Sequence, residues 1–271
     1  MTKTITFANF KGGVGKTTAS VMFSYLLQKQ GKKVLLVDFD PQYNASEIMF
    51  KTFGVDNNNK TSLYEAIQAQ DLSKALVKLT PNLDMLPSEL DLVGFPMHLY
   101  NLTNDKEKRF YLIDHLLNQI KDNYDYVIID VPPTISEYTN NAIVASDYVL
   151  LVMQTHEQSF SASVKFIDYL RDLRSYNPEI NLLGVIPYLV HKQGKVDKEV
   201  IEDAKEIFKD FLFTQSVFKR ERIKLFSKHG IREEDMHDEN ALEMYGKVVN
   251  EFLERIESKW QNKTKKTQKT F

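Results

Sequence analysis

The 271-residue sequence contains no cysteine. Disulfides, thiolate metal sites and iron–sulfur clusters are therefore excluded at once. No apolar run reaches the roughly 18 residues that would cross a bilayer. The N-terminus enters an apolar stretch directly, without the form of a secretion signal, so a soluble, cytoplasmic protein is expected. Charge of one sign is also lacking: the formal net charge is −2. The molecule as a whole is no electrostatic ligand for nucleic acid, and any such contact has to come from a local patch. There are no repeats, and no linker divides the chain. What is present is 42% hydrophobic and 27% charged residues, enough for a well-buried core in a large α/β unit.

The most informative stretch is Lys11-Gly12-Gly13-Val14-Gly15-Lys16-Thr17-Thr18. It follows an apolar run, Thr4-Ile5-Thr6-Phe7-Ala8, and precedes helical spacing from Ala19 to Gln30. Strand, glycine loop and helix start are the context a phosphate-binding loop requires. Glycines let the backbone turn its N–H groups toward an anion, and the helix adds the positive end of its dipole. In such a loop Lys16 reaches the β- and γ-phosphates and the Thr17 hydroxyl sits on Mg²⁺. The usual G-x-x-x-x-G-K-[ST] pattern is not met, because Phe10 stands in place of its first glycine.

Two further apolar runs end in carboxylates. Val34-Leu35-Leu36-Val37 runs into Asp38-Phe39-Asp40-Pro41-Gln42, and Tyr126-Val127-Ile128-Ile129 into Asp130-Val131-Pro132-Pro133. Both read as buried parallel strands, whose carboxyl ends are where α/β sheets bind ligands. Asp130 is placed as a Walker B residue would be, holding Mg²⁺ through a water, with the two prolines fixing a switch-like loop beside the γ-phosphate. Alone, each Asp could be no more than a helix cap. Elsewhere Ser62 opens a capped helix, 57–60 is a loop, residues 83–86 form a strand with helix following through Leu99, and helices cover 110–120, 159–176, 195–211 and 240–260. Strands are expected at 148–153 and 180–189.

Between Thr214 and Arg232, Lys219, Arg220, Arg222, Lys224, Lys228 and Arg232 oppose only Glu221, a local charge of +5. Cations on phosphates would give weak, salt-sensitive, sequence-independent DNA binding. The lysine- and threonine-rich stretch 261–271 is expected to be a disordered tail with loose affinity for nucleic acid.

The loop K-G-G-V-G-K-T, with D-x-D-P-Q at 38–42 and D-x-P-P at 130–133, resembles the deviant Walker A motif set of the MinD/ParA class of P-loop ATPases. The resemblance spans roughly residues 3–258 and points within the class to the ParA/Soj ATPases of plasmid and chromosome partition. Residues 138–147 and 185–190 look especially like the delta-type ParA proteins of plasmids from Gram-positive bacteria. The implied fold is a doubly wound, mostly parallel sheet flanked by helices, one ATPase domain over 1–260. The implied cofactors are ATP, cradled by Gly12, Gly13, Val14, Gly15, Lys16, Thr17 and Thr18, and Mg²⁺ at Thr17, Asp38 and Asp130. By the same resemblance Asp40 positions or activates the attacking water, and Lys11 reaches across a homodimer to the partner's nucleotide. The loop after the 180–189 strand borders the adenine in this class, which makes Pro187 and Tyr188 candidates. The class continues after its 148–153 strand with Pro-x-Gln-x-Glu. Here Val152, Gln154 and His156 stand at those places with Glu157 beside them, so no role is carried onto His156 or Glu157.

The resemblance implies a switch. An ATP sandwich dimer joins two basic patches, Lys219, Arg220, Arg222, Lys224 and Lys228 on each subunit, into one surface for non-specific DNA on the nucleoid. A centromere-binding partner, of ParB-like or ribbon-helix-helix type, stimulates hydrolysis and releases it. No N-terminal helix-turn-helix domain is expected, and so no autorepression through one. A MinD-like membrane cycle would need an apolar amphipathic anchor, which 261–271 does not provide. A nitrogenase-reductase-like protein would need cysteines, and a tyrosine-kinase-like member a C-terminal tyrosine cluster. A ligase of the same fold would turn over on a small substrate instead.

Overall fold

The computed structural model describes residues 2–56 and 61–257. The loop expected at 57–60 and the tail at 261–271 lie outside the described residues. Eight strands make one sheet: β1 (Lys3–Ala8), β2 (Val34–Asp38), β3 (Val77–Thr80), β4 (Leu83–Leu86), β5 (Tyr126–Asp130), β6 (Tyr148–Gln154), β7 (Asn181–Val190) and β8 (Val217–Phe218). Their order is β3-β4-β2-β5-β1-β6-β7-β8, and only the β3–β4 pair is antiparallel. The doubly wound fold expected from the sequence is therefore the one observed. The helices are α1 (Lys16–Lys29), α2 (Asn44–Phe53), α3 (Leu63–Gln68), α4 (Phe95–Leu102), α5 (Leu112–Leu117), α6 (Glu137–Val144), α7 (Glu157–Leu173), α8 (Lys195–Phe208), α9 (Glu221–His229) and α10 (Met236–Glu257).

Strands β2 and β5 are apolar up to their terminal carboxylates because both of their faces are covered. Val34 and Leu36 of β2 join Tyr126 and Ile128 of β5 in a core with α1 and α10. The alternate residues Leu35, Val37, Val127 and Ile129 pack on the other face with α3 to α6. Farther along, Val149, Leu151 and Met153 of β6 pack under α7 and α8. The period-two division places every β2 and β5 residue inside.

Strand order decides where chemistry can occur. The three motif-bearing strands are neighbours, with β5 between β2 and β1. In register, Asp38 pairs with Asp130 and Phe7 with Asp130. Carboxylates separated by 92 residues thus lie side by side at the carboxyl edge of the sheet, next to the loop leaving β1. Several boundaries differ from expectation. The Ser62 cap is a full capping box with Glu65. The 110–120 segment is instead short helical pieces, a 3₁₀ turn at Lys108–Phe110 and α5, and the 195–211 helix ends at Phe208, with Lys209 at φ 49°. Helix α10 starts at Met236, four residues early, and is described to Glu257.

Candidate functional site

Residues 9–15 join β1 to α1. Asn9 is buried and pins the loop entry: its Nδ2 donates to Val152 O (2.8 Å) and Ser163 Oγ (3.0 Å), and its Oδ1 accepts the Lys11 N–H (2.9 Å). Val14 is fully buried and anchors the middle of the loop in the core. Gly13 and Gly15 have φ of 73° and 99°. At Gly15 space demands glycine as well, because a Cβ would lie 2.2 Å from the Tyr188 ring. Gly15 is the N-cap of α1, and no side chain fills the cap. The first N–H groups of a 14-residue helix are therefore open to an anion.

The charged residues converge on this helix end. Lys16 is only 6% exposed, and burial lowers its pKa while Asp130 and Asp40 hold it up. Asp130 is completely buried and neither of its oxygens is in a close hydrogen bond. Burial, then the neighbouring Asp38, push its carboxyl up to about 8, against weaker opposing effects of Thr17 and Lys16. Asp38 is pushed up to about 6, mainly by burial. It is also well used: Oδ2 accepts the Ser46 N–H (2.8 Å) and hydroxyl (2.7 Å), so Asp38 holds the first turn of α2. The Ser46 hydroxyl in turn accepts the Ser88 N–H. Asp40 is 8% exposed and is aimed by the Gln42 N–H on its Oδ1 (3.0 Å).

Buried carboxyls with raised values give a pH dependence of definite sign. Such a group stabilises the fold when protonated; the contribution is complete below the ordinary value of 3.8 and is lost as pH rises through about 8 for Asp130 and about 6 for Asp38. Nucleotide-free protein is expected to melt lower as pH rises through this window. Asp130→Asn is expected to flatten the loss and to melt several degrees above wild type at about pH 8.5, near the top of that window. Calorimetry of the two proteins across pH checks this; a variant that melts below wild type in alkali contradicts it.

A cavity of about 440 Å³ opens on the loop, lined among others by Gly13, Lys16, Thr17, Asp40 and Pro133. Asp38 and Asp130 lie beneath it and off its walls. Among the described residues no three carboxylate or imidazole side chains form a protein cage for a metal. Mg²⁺ does not require one, since it keeps waters and takes phosphate oxygens. The buried carboxylate of Asp130 beside the Thr17 hydroxyl is a hard-oxygen set that fits such an ion. Ser227 of α9 closes the far side of the cavity.

A second cavity, about 380 Å³, lies beyond β6 and β7 and is lined by residues including Gln154, His156, His191 and Lys219. It corrects the expectation for Pro187 and Tyr188. Both lie inside the strand, ahead of the loop that follows it, and both are buried. Tyr188 is 1% exposed, with its hydroxyl bonded to that of Tyr245 and its ring under Gly15. It supports the loop from below and has no surface for a base. His156, to which no role was assigned, is the N-cap of α7, which starts two residues earlier than expected. On the outer side of the loop, the Lys11 ammonium donates to Gln158 Oε1 (3.0 Å), an uncharged partner.

The basic segment is less basic in space than in sequence. Arg222 turns inward, paired with Asp235 and, at 3.1 Å, with the buried Asp238. Arg232 pairs with Glu234 and Lys224 with Glu221. Glu233, Glu234, Asp235 and Asp238 follow immediately, and a charge count ending at Arg232 misses them. Arg222 is thus removed as a phosphate contact, while Lys219, Lys224 and Lys228 stay exposed and Arg220 is half-buried. The helix that carries this segment, α9, packs on α2. Gly230 (φ 83°) approaches so closely that a Cβ would lie 2.6 Å from Thr52 N, and the Ile231 N–H donates to Thr52 Oγ1 (2.8 Å).

A phosphate loop with an extra leading lysine, over adjacent acidic strand ends on a doubly wound sheet, defines a P-loop NTPase of the deviant Walker A type. Comparison with known proteins narrows this. A family model described as AAA domain matches residues 2–182. The sporulation initiation inhibitor protein Soj of Bacillus subtilis (strain 168) is 32% identical over 232 residues, covering 85% of this chain and 89% of Soj. The chromosome partitioning protein ParA of Caulobacter vibrioides (strain NA1000 / CB15N) is 29% identical over 227 residues, 82% of each chain. In fold alone, the cobyrinic acid a,c-diamide synthase from Mycobacterium smegmatis with bound ATP analog and magnesium is similar, with a TM-score of 0.78 at 24% identity over 95% of this chain and 97% of that one. The chain belongs to the ParA/Soj family of partition ATPases. No described helix is long and apolar enough to cross a membrane.

Proposed function

We propose that the protein is a nucleotide-driven partition switch that binds ATP and Mg²⁺, dimerises, holds non-specific DNA and lets go on hydrolysis. The observation that carries this is the divergence of two lysines on one loop. Lys16 points into its own cavity, among Asp130 and Asp40. Lys11 points out of it and rests on Gln158, with no carboxylate among the described residues fixing it. A cation so placed is available to phosphates presented by a second subunit.

Within one subunit the roles follow from position. The N–H groups at the start of α1 and the Lys16 ammonium hold the phosphates. Thr17 and Asp130, with Asp38 beside Asp130, would hold Mg²⁺, which would supply positive charge to neutralise the phosphates there. Asp40, on the cavity wall, orients the attacking water. The cavity at Leu189, His191 and Lys219 is the place for the base, in succession to Pro187 and Tyr188. The DNA surface consists of Lys219, Arg220, Lys224 and Lys228, doubled by dimerisation, with α9 touching the nucleotide cavity through Ser227. A centromere-binding protein, of ribbon-helix-helix or ParB-like type, is the stimulating partner.

The test uses non-specific duplex DNA at moderate salt with no nucleotide, ADP, ATP or a non-hydrolysable analogue. Wild type is expected to bind only with ATP or the analogue, and to sediment as a dimer under the same conditions. Lys11→Ala is expected to keep nucleotide affinity within about threefold, since its contact is to another subunit, yet to lose the dimer and at least about 10-fold in DNA affinity. Nucleotide-independent DNA binding, or a Lys11→Ala protein that still dimerises with ATP, would end this reading.

A further inference from the structure

The first turn of α7 holds the phosphate loop through a directed chain of hydrogen bonds. The Ser159 N–H donates to His156 Nδ1 (3.2 Å). Nδ1 is therefore the unprotonated nitrogen of a neutral ring, and Nε2 carries the hydrogen. Nε2 lies 2.9 Å from Gln154 Oε1 and donates to it. That fixes the Gln154 amide the other way round, with its Nε2 donating to Gly13 O at 2.9 Å. Each assignment forces the next, from a helix N-terminus to a carbonyl of the loop. The Gln154 backbone is held too, by its N–H on Ser159 Oγ (3.0 Å).

We propose that His156 is a positioning residue for the phosphate loop, acting through Gln154 on the Gly13 carbonyl. This rests on the nucleotide reading of the site. Gly13 has positive φ and no side chain, so nothing of its own holds the peptide that follows it. Fixing its carbonyl on Gln154 fixes the whole Gly13–Val14 peptide plane, whose N–H points the opposite way. With the carbonyl turned out to β6, the Val14 N–H is kept for an anion in the cradle. The ParA/Soj-like pattern has glutamate at this place. A carboxylate could accept the Ser159 N–H but has no hydrogen to give Gln154. The imidazole does both, which explains why a histidine in the loop after β6 can replace the expected residue and still orient the amide.

Capping and relay can be separated. His156→Asn keeps an acceptor for the helix N-terminus but is too short to reach Gln154. Gln154→Ala removes the link and leaves the cap. Full-length wild type, both single variants and the double variant are titrated with a fluorescent ATP analogue, and ATP turnover and thermal melting are measured on each. Each single variant is expected to bind about 3- to 10-fold more weakly, the scale of one uncharged hydrogen bond. The double variant is expected to be no weaker than the weaker single one, because both cut the same chain. The loss is expected in KM with kcat within about twofold, and melting close to wild type. Single variants that bind within twofold of wild type overturn the proposal while leaving the nucleotide reading intact, as do losses that multiply in the double variant. A wild type that binds no analogue overturns both.

Discussion

Lys16→Ala is expected to weaken ATP binding by about 100-fold or more, the scale of one or two charge-assisted hydrogen bonds to phosphate, and to abolish ATP-dependent DNA binding with it. The same change is expected to leave the melting temperature of the nucleotide-free protein near or above that of wild type. Both halves follow from burial. An ammonium that is 6% exposed and whose pKa is lowered by desolvation is not held for the sake of the fold. Asp130 and Asp40 offset part of that cost, and the unliganded protein carries the rest. Phosphate is the partner that makes the arrangement favourable. Isothermal titration with ATP and magnesium, together with calorimetry of the apo proteins, checks both halves. A variant that binds ATP like wild type removes Lys16 from the site. One that binds poorly because it has unfolded would show a stability role instead.

Asp40→Ala is expected to do something different: hydrolysis falls about 100- to 1,000-fold, the range for loss of a positioned base, while ATP affinity changes by less than about fivefold. Asp40 is on the cavity wall, and its carboxylate is aimed by the Gln42 N–H. Asp38, two residues earlier at the end of β2, is turned into the Ser46 cap and cannot substitute for it. With binding intact and turnover lost, the variant is expected to stay on DNA in the ATP state long after wild type has been released. Single-turnover hydrolysis and dissociation from a DNA surface measure this. Undiminished hydrolysis would leave Asp40 as an anchor for the turn at Gln42 and nothing more.

The parts of this site that could be read from the sequence are those in which neighbouring residues act together. The glycine loop is local, and a strand covered on both faces must be apolar until it ends, so Asp38, Asp40 and Asp130 stood out at the ends of β2 and β5. Their adjacency could not be read, since it depends on β5 inserting between β1 and β2. Short, half-covered edge strands left little trace: β3 has four partly or fully exposed residues and β8 only two residues. Tyr188 lies inside the 180–189 strand expected from the sequence, but the apolar pattern does not say that its ring turns under Gly15 and its hydroxyl to Tyr245. Arg222 was misread because its acids lie 13 and 16 positions later, on the approach to α10 and its first turn. His156 gave no signal, as imidazole is an uncommon helix cap and its use depends on the amide orientation of Gln154.

The seating of α9 against α2 at Gly230 and Thr52 has a thermodynamic corollary. One helix supplies both a wall of the nucleotide cavity, at Ser227, and the exposed cations Lys224 and Lys228. Equilibrium coupling between two ligands is reciprocal. On the proposed cycle, whatever factor ATP contributes to DNA affinity, DNA returns to ATP affinity. Chromosomal DNA then acts as a co-ligand that retains nucleotide, and molecules on the nucleoid stay charged at ATP concentrations that leave free molecules empty.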